Sequence, residues 1–439
     1  MTMSTDAKSG EAGLTRGVGL TGVVMFGAGT AIGVSIFSVL QPAAQVAGSG
    51  LLVAIALGIV PMLLFATVYA WLASALPVSG ASYEWPRRFL GPYAGFSIAW
   101  LRIISNVGAT VVLARVLVNY LGMAVSLPAT PVVAAAITLV FALNYVGVTV
   151  AARVQTVLML LLIAVLAIIV ATGAPRASAT TIGPLFASGW PAILAALPLL
   201  ISLFLGIESA VEIGDEVRDP QRTIPRGIAL AILLTASVYG AVAATALGLV
   251  GAPALAASKA PLLTAAEVPL GALALPLVVG AATVSILKTM NATALVFSRS
   301  LFAMARRAAL PPALAAIHPR FGTPHRAILL GYACAMTGLL MPDSLVFLLL
   351  AVNLPTMLKY IACSLCAIRV ARGAQGIAAG AWLRIAPRTM VAVGWCAVAA
   401  AAVIVVAGVE ADWRPYALVA GWLVVGTLFY LGYARRAAA

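Results

Sequence analysis

Apolar residues along this chain come in long, nearly uninterrupted blocks. Clear examples are 51–76, 131–143, 154–170 and 389–407. These blocks reach or approach the roughly 20 residues that a helix needs to cross the hydrocarbon core of a bilayer. A transmembrane barrel would show strands that alternate apolar and polar residues, and these blocks do not alternate. Because backbone polar groups inside a membrane must bond to each other, each block is predicted to be a helix.

The blocks and the polar segments between them predict an all-α polytopic membrane protein with about twelve transmembrane helices. We call these helices spans 1 to 12. Residues 1–17 are predicted to be a cytosolic N-terminal tail, and both chain ends are predicted to be cytosolic. The spans are predicted at 18–43, 50–76, 93–121, 130–149, 154–173, 191–213, 226–250, 271–303, 326–341, 344–368, 389–408 and 415–433.

Composition excludes a water-soluble globular protein. Hydrophobic residues make up 63% of the chain and charged residues only 9%, whereas soluble domains carry about 25% charged residues. The net charge of +14 could indicate a nucleic-acid partner, but most basic residues fall in loops that strict alternation assigns to the cytosol. The outer loops hold only Arg176, Lys259 and Arg414. This asymmetry predicts a multi-pass protein of the inner (cytoplasmic) membrane and no nucleic-acid partner.

Spans 1 and 6 carry glycines near the predicted middle of the membrane. Span 1 contains Gly27, Gly29 and Gly33, and span 6 contains Gly206 and is followed directly by Gly214. Such glycines can simply let helices pack closely. Alternatively, glycine-interrupted helices at corresponding positions of two halves are typical of transporters built from inverted repeats, with the substrate at the breaks. The pairing of spans 1 and 6 favours the second interpretation.

Four segments resemble the amino acid-polyamine-organocation superfamily of transporters, in family order and spacing. The segments from spans 6 and 8 are specific, because they contain E-V-x-D-P-x-R-x-I-P-R and an R-F-G-T-P loop. The resemblance covers about the first 330 residues. The four segments are GTAIGVSIF at 29–37, PVSGASYEWPRRFLGPYAGFSIAW at 77–100, LFLGIESAVEIGDEVRDPQRTIPRGI at 203–228 and SRSLFAMARRAALPPALAAIHPRFGTPHRAIL at 298–329.

The resemblance implies a leucine-transporter-like fold with a five-plus-five inverted repeat. The ten-helix transport core would cover 18–368, and 369–439 would hold two further transmembrane helices and a cytosolic C-terminus. In this family the substrate carboxylate binds backbone amides at the break of span 1, and its amino group binds carbonyls at both breaks. This chain would place the carboxylate on Gly33, Val34, Ser35 and Ile36, and the amine on Ala31, Ile32, Ser202 and Leu205.

One departure from the family concerns the carboxylate side of the site. Family members commonly have Gly-Ser-Gly where this chain has Gly33-Val34-Ser35. A position that is usually glycine therefore bears a side chain, which is expected to narrow the site or to add its own hydroxyl.

Two glutamates of span 6 are candidates for coupling or gating, because ionisable residues in membrane helices are costly and by default functional. Glu208 follows Gly206 at the break, where some superfamily antiporters place a proton-sensitive glutamate. It is predicted to bind and release a proton; the alternative is a permanent pair with a basic neighbour. Glu212 is predicted to join a cytosolic gate or an ion-pair network with loop arginines rather than to bind substrate.

Lys288 in span 8 is the third candidate. In sodium-coupled members of this fold span 8 helps to form a sodium site with span 1, and in many sodium-independent members a lysine of span 5 supplies that charge. The corresponding stretch 157–163 contains no lysine. Lys288 is therefore predicted to place its ammonium near the break of span 1 and to replace a sodium ion. The alternatives are a salt bridge to Glu208 and a lysine that snorkels to the membrane surface.

Other polar and aromatic residues of the spans are candidates for lining the cavity. Phe204 beside Gly206 is predicted to be an aromatic lid. Arg102 and Arg115 are expected to form pairs or to snorkel, and Lys359 to act in gating or structure. A set of polar residues could line the cavity or bond between helices; it comprises Asn106, Thr289, Asn291 and Thr293.

The remaining chemistry argues against an enzyme and for a carrier. His318 and His325 lie in the predicted cytosolic loop, and no metalloprotease or nucleophile-elbow motif occurs. No cofactor or metal is predicted, and the cysteines are expected to be buried structural thiols. A channel would show a pore-lining ring of charges or carbonyls, which the sequence lacks. The cysteines are Cys334, Cys363, Cys366 and Cys396.

The predicted partners are the lipid bilayer and a small-molecule substrate; a coupled proton and an oligomer are left open. The six ionisable residues weighed above as lying inside the bilayer comprise four basic ones, Arg102, Arg115, Lys288 and Lys359, and two acidic ones, Glu208 and Glu212. This balance favours a neutral amino acid over a cationic solute. The alternatives are a polyamine or other organic-cation transporter and a transport-inactive sensor on the same fold. Proton symport, uniport and exchange all remain open at this point.

Overall fold

The computed structural model describes residues 17–33, 35–201, 203–340, 345–373, 375–409 and 413–434, and nearly all of them are helical. The helices are α1 (Leu20–Ala31), α2 (Ser35–Ser38), α3 (Leu40–Ala47), α4 (Leu51–Ala75), α5 (Ala81–Phe89), α6 (Pro92–Leu121), α7 (Ala129–Val146), α8 (Val148–Gly173), α9 (Ala179–Ile182), α10 (Gly189–Ile201), α11 (Pro220–Ala257), α12 (Pro261–Leu270), α13 (Ala274–Arg306), α14 (His325–Thr337), α15 (Leu345–Gly373), α16 (Gln375–Ala379), α17 (Pro387–Val409) and α18 (Arg414–Phe429).

Ten helical stretches in the described ranges are long and apolar enough to cross a bilayer. The prediction of a polytopic all-α membrane protein is therefore confirmed. Spans 6 and 9 do not meet this length because they correspond to α10 and α14, which have 13 residues each. α10 ends at Ile201, with turns at 203–206, and α14 is followed by the short 3₁₀ turn Gly338–Leu340. The count of twelve and the inverted repeat stay predictions.

Span 1 is interrupted where its glycines predicted a break. α1 ends at Ala31, Ile32 and Gly33 lie outside any helix, and α2 begins at Ser35. A Cβ atom on Gly33 would lie 2.8 Å from the hydroxyl of Thr289 on α13. The glycine therefore also allows α13 to approach the break closely.

Span 6 is interrupted beside the break of span 1. After α10 the chain makes turns and then two 3₁₀ segments, Ile207–Glu212 and Gly214–Glu216. Gly206 has φ of +101°, a left-handed conformation that favours glycine. A Cβ atom there would lie 2.5 Å from the side chain of Thr30, and a Cβ on Gly27 would lie 2.8 Å from the carbonyl oxygen of Ile207. The glycines thus permit both the break and the close packing of the two interrupted helices.

The long helices surround this pair of breaks. α11 packs against α1 and α4, and α13 packs against α1, α6 and α8. α15 lies against α6 and α4, while α17 and α18 pack on the outside of α15. Trp100 of α6 and Trp422 of α18 each donate an indole N–H to the other's carbonyl, both at 2.9 Å. This reciprocal bond attaches the last helix to the core.

The four cysteines differ in how deeply they are buried. Cys363 and Cys366 are buried, Cys334 is half-buried, and all four thiols are free. The expectation that all four are buried is wrong for Cys396, which is exposed on α17. A thiol on the outer face of a transmembrane helix contacts lipid, so an apolar block does not imply burial inside protein.

Candidate functional site

The ammonium of Lys288 lies at the break of span 1. Its Nζ donates hydrogen bonds to the carbonyl oxygens of Gly29 and Ile32, in the last turn of α1 and just beyond it. Two neighbours on α13 support the same carbonyls: Ser285 donates to Ile32 at 3.3 Å and Thr289 to Gly29 at 3.4 Å. Lys288 is fully buried, with no exposed surface. α13 thus presents one cationic and two hydroxyl donors to the end of α1.

The attraction between this lysine and α1 has a simple electrostatic cause. The last carbonyls of a helix have no intrahelical partner and carry the negative end of the helix dipole. A cation placed there is stabilised without an acidic side chain, and none of the ion pairs formed by the described residues includes Lys288. The alternatives for Lys288 do not fit, because a fully buried side chain does not snorkel and Glu208 pairs elsewhere.

The carbonyls predicted to hold a substrate amine already have protein donors in this structure. The hydroxyl of Tyr239 on α11 donates to the carbonyl of Ala31 at 2.7 Å, and Ile32 accepts the bonds described above. Phe204 is fully buried, and its ring centroid lies 6.2 Å from that of Tyr239 in an edge-to-face contact. Leu205 is half-buried. Phe204 is therefore packed beside the residue that bonds to the end of α1, and its role as a lid stays a prediction.

The carboxylate side of the predicted site follows the break. The amide of Gly33 bonds to the carbonyl of Ala31 at 2.7 Å, and Ser35 and Ile36 form the first turn of α2. Ile36 is fully buried. The predicted contacts of Val34 and Ser202 lie outside the described residues.

Glu208 forms a buried ion pair with Lys359 of α15. The Nζ of Lys359 lies 2.6 Å from Oε1 of Glu208, and the side chains are 3% and 5% exposed, respectively. Oε2 accepts a hydrogen bond from the amide of Gly206 at 3.1 Å. The ammonium also lies 4.8 Å from the ring centroid of Tyr360 and 5.5 Å from that of Tyr69. The structure therefore shows the alternative that the sequence left open, a glutamate paired with a basic neighbour.

Asn106 and Arg102 lie one turn apart on α6, and they are 5% and 8% exposed. The Nδ2 of Asn106 and the Nε of Arg102 are buried without a hydrogen-bond partner among the described residues. The amide of Asn106 therefore has a donor that no described residue uses, and its place in a substrate cavity stays a prediction.

The other polar candidates of span 8 bond within the protein. Thr293 donates to the carbonyl of Thr289 one turn earlier on α13, at 2.9 Å. Asn291 accepts a hydrogen bond from Asn144 at 3.0 Å and donates to Gln155 at 3.3 Å. Asn291 thus bonds α13 to α7 and α8. This matches the alternative in which the residue bonds between helices instead of lining the cavity.

The end of span 6 that follows the break is bonded to the segment before α6. The hydroxyl of Ser82 donates to the carboxylate of Glu212, and the amide of Gly80 donates to the carbonyl of Glu212 at 3.0 Å. Glu212 is 2% exposed. Glu212 therefore joins span 6 to the start of α5 through a serine rather than through the predicted loop arginine, and its role in a gate stays a prediction.

Ion pairs with arginines are made by acidic residues that follow Glu212 in the chain, Asp215 and Glu216. Arg299 of α13 makes two bonds to the carboxylate of Glu216, at 2.8 and 3.0 Å, and both side chains are fully buried. Sequence reasoning did not single out Arg299, although both partners stand in segments that carry the family resemblance. Partly exposed pairs surround it: Arg306 with Asp215 at 3.5 Å, Arg307 with Glu84 at 2.8 Å and Arg87 with Glu84 at 3.0 Å.

Together these features define a multi-pass membrane carrier whose two interrupted helices meet at a buried site. The chain belongs to the amino acid permease family, whose profile matches residues 22–433. This match confirms the resemblance and indicates a transporter rather than an enzyme.

Three relatives illustrate the range of this family. The uncharacterized transporter Rv1999c of Mycobacterium tuberculosis is 36% identical over 318 residues, which cover 72% of this chain and 71% of the relative. The branched-chain amino acid permease BcaP of Bacillus subtilis is 26% identical, with 82% of each chain covered. The methylthioribose transporter of Bacillus subtilis is 25% identical over 99% of this chain and 96% of its own.

Proposed function

We propose that this protein is a sodium-independent transporter of neutral amino acids that works by alternating access in the inner membrane, with both termini cytosolic. The observation that carries the proposal is the ammonium of Lys288 on the carbonyls of Gly29 and Ile32. By resemblance, sodium-coupled members bind their ion between spans 1 and 8. A lysine at this place supplies the same positive charge to the same kind of carbonyl oxygens, so no sodium ion is needed.

The proposal assigns proton coupling to Lys288 rather than to Glu208. Glu208 has a direct cationic partner in Lys359, which favours a permanently charged carboxylate. Within the described structure Lys288 donates to two neutral carbonyl oxygens, those of Gly29 and Ile32. Loss of its proton would remove the charge that holds the end of α1, so proton release would loosen the break. This link between a proton and the conformation of span 1 supports proton symport or exchange.

The charges around the breaks support a neutral substrate. The carboxylate of Glu208 is neutralised by Lys359, whereas Arg102 and Lys288 lack an acidic partner among the described residues. A polyamine or another organic cation would therefore meet a positive interior. A permease of branched-chain amino acids among the relatives agrees with an uncharged side chain.

The proposed binding site is built around the two breaks. The substrate carboxylate would face the amides after Gly33, and its side chain would lie beside Phe204, Gly206 and Asn106. The amine would compete with Tyr239 for the carbonyl of Ala31. The other proposed contacts are Ile32, Val34, Ser35, Ile36, Ser202, Leu205 and Thr293. The transport core would cover 18–368, and the last two helices would be peripheral.

A second candidate is transport of an uncharged solute that bears hydroxyl groups instead of an amine. Two observations favour it: Ala31 and Ile32 already accept bonds from protein donors, and a relative that matches almost the whole chain is a methylthioribose transporter. Such a solute would leave those donors in place and bond to Asn106 instead.

Uptake into liposomes that contain the purified protein tests the proposal. We expect uptake of at least one radiolabelled neutral amino acid, unchanged when choline replaces sodium and increased by an inward proton gradient. Lys288→Met should abolish the response to the gradient. Sodium-dependent uptake by the wild type would contradict the proposal, and uptake of methylthioribose alone would establish the second candidate.

A further inference from the structure

A groove of about 550 Å³ runs along the outer face of the protein between α4 and α11. Its walls are apolar side chains such as Leu63 and Leu233, which are 48% and 64% exposed. Since both helices are long enough to cross a membrane, these exposed side chains face lipid. The volume falls in the range of small-molecule sites, about 300–1,000 Å³.

One end of the groove is polar and positively charged. Arg226, in the second turn of α11, lines it, and its guanidinium lies 4.8 Å from the ring centroid of Trp382. Trp382 and Leu383 close this end, and the amide of Leu383 bonds to Ser74 of α4 at 3.4 Å. No acidic side chain lines the described groove. Arginine beside tryptophan is the composition typical of a membrane–water interface.

This arrangement matches the shape and charge of one kind of molecule. The apolar walls fit a hydrocarbon chain, and a guanidinium at the interface fits a phosphate, to which arginine can donate two parallel hydrogen bonds. Arg226 forms none of the ion pairs found among the described residues. This exposed guanidinium, which has no acidic partner in the groove, can therefore pair with an anion from outside the protein.

We propose that this groove binds an anionic phospholipid of the surrounding bilayer, with its phosphate on Arg226 and one acyl chain between α4 and α11. Both walls also reach the candidate transport site. Gly58, adjacent to the groove residue Ile59, lies against Phe204, with 3.9 Å between its ideal Cβ position and the ring. α11 carries Tyr239 to the carbonyl of Ala31. The lipid therefore contacts the two helices that support the break of span 6 and the end of α1.

Native mass spectrometry of the purified full-length protein tests this site. Phosphatidylglycerol and phosphatidylcholine with identical chains are added in equal amounts, and bound lipids are counted. One arginine near anionic headgroups contributes about 1 kcal/mol, which corresponds to about a fivefold preference. We expect the wild type to retain phosphatidylglycerol about fivefold more than phosphatidylcholine, and Arg226→Gln to reduce that ratio to about one.

Two further variants separate the headgroup from the chain. Ala229→Trp fills the groove from an exposed position of its lining and should reduce retention of both lipids. Arg320→Gln is the matched control, because Arg320 is exposed, stacks on Phe321 at 5.5 Å and does not line the groove; its ratio should equal the wild type. Size-exclusion chromatography of each variant serves as the check that it is folded.

Three results would overturn the proposal. The first is a phosphatidylglycerol preference that survives in Arg226→Gln, and the second is unchanged lipid retention in Ala229→Trp. The third is displacement of the lipid by inorganic phosphate at equal concentration, because that would mean the chain adds nothing to binding. None of these results bears on the transported solute, so the test stands apart from that of the proposed function.

Discussion

The buried pair of Glu208 and Lys359 allows a sharp test of which group carries the proton. Its charges lie 2.6 Å apart, which corresponds to a gross attraction of about 6 kcal/mol at an effective dielectric constant near 20. Desolvation of two ions costs several kcal/mol each, so the intact pair contributes little net stability. Removal of one partner leaves a buried charge alone and is expected to cost about 3–5 kcal/mol.

The Tm values of single and double variants of this pair should therefore follow a specific pattern. Glu208→Gln and Lys359→Met should each lower the Tm of the detergent-purified protein by several degrees, and the double variant should recover most of the loss. Asp215→Asn is the control, because its pair with Arg306 is partly exposed at 3.5 Å and such pairs contribute about 0–1 kcal/mol. Its Tm should change little.

The same variants are then assayed for the response of uptake to a proton gradient. The double variant should keep that response, because we propose that the pair holds the break of span 6 and that Lys288 carries the proton. Loss of the response in the double variant, with uptake otherwise intact, would refute this assignment and return coupling to Glu208. Two single variants with wild-type Tm would refute the argument about the buried charge.

Three other substitutions test separate parts of the structure. Glu216→Gln leaves the buried Arg299 without its carboxylate and should lower Tm by an amount that corresponds to about 3–5 kcal/mol, while Glu216→Asp should lower it less. Gly206→Ala forces a side chain onto φ of +101° and against Thr30; uptake should be lost while the protein still reaches the membrane, as a fluorescent fusion would report. Trp422→Phe removes one of the two reciprocal indole bonds and should cost about 1 kcal/mol, measured as a small fall in Tm with uptake retained.

The breaks were predictable from sequence because their cause is local. Glycine at Gly33 and Gly206 both weakens a helix and leaves room for a neighbouring chain, and the structure shows both effects at these positions. The position of Lys288 was also predictable, although through the family resemblance rather than through spacing. Its contacts with the end of α1 follow from the unpaired carbonyls that any interrupted helix exposes.

The ion pairs were not predictable in the same way. Glu208 and Lys359 stand 151 positions apart, and no local pattern relates them, because their contact depends on how α15 packs against the break of span 6. Arg299 lies near the end of predicted span 8 and had no evident partner in the sequence, yet in the structure α13 continues to Arg306 and Arg299 is buried against Glu216. The length of α13 and the packing of the helices determine these ion-pair partners, and neither can be predicted from one segment of the sequence.

Uptake by the wild type and Lys288→Met in sodium and in choline tests the central claim most directly. Both proteins are reconstituted in liposomes and assayed with the neutral amino acid that the wild type transports best. The account predicts equal wild-type uptake in sodium and in choline, a response to the proton gradient in the wild type, and no such response in Lys288→Met. Wild-type uptake that requires sodium, or a full response to the gradient in Lys288→Met, would contradict it.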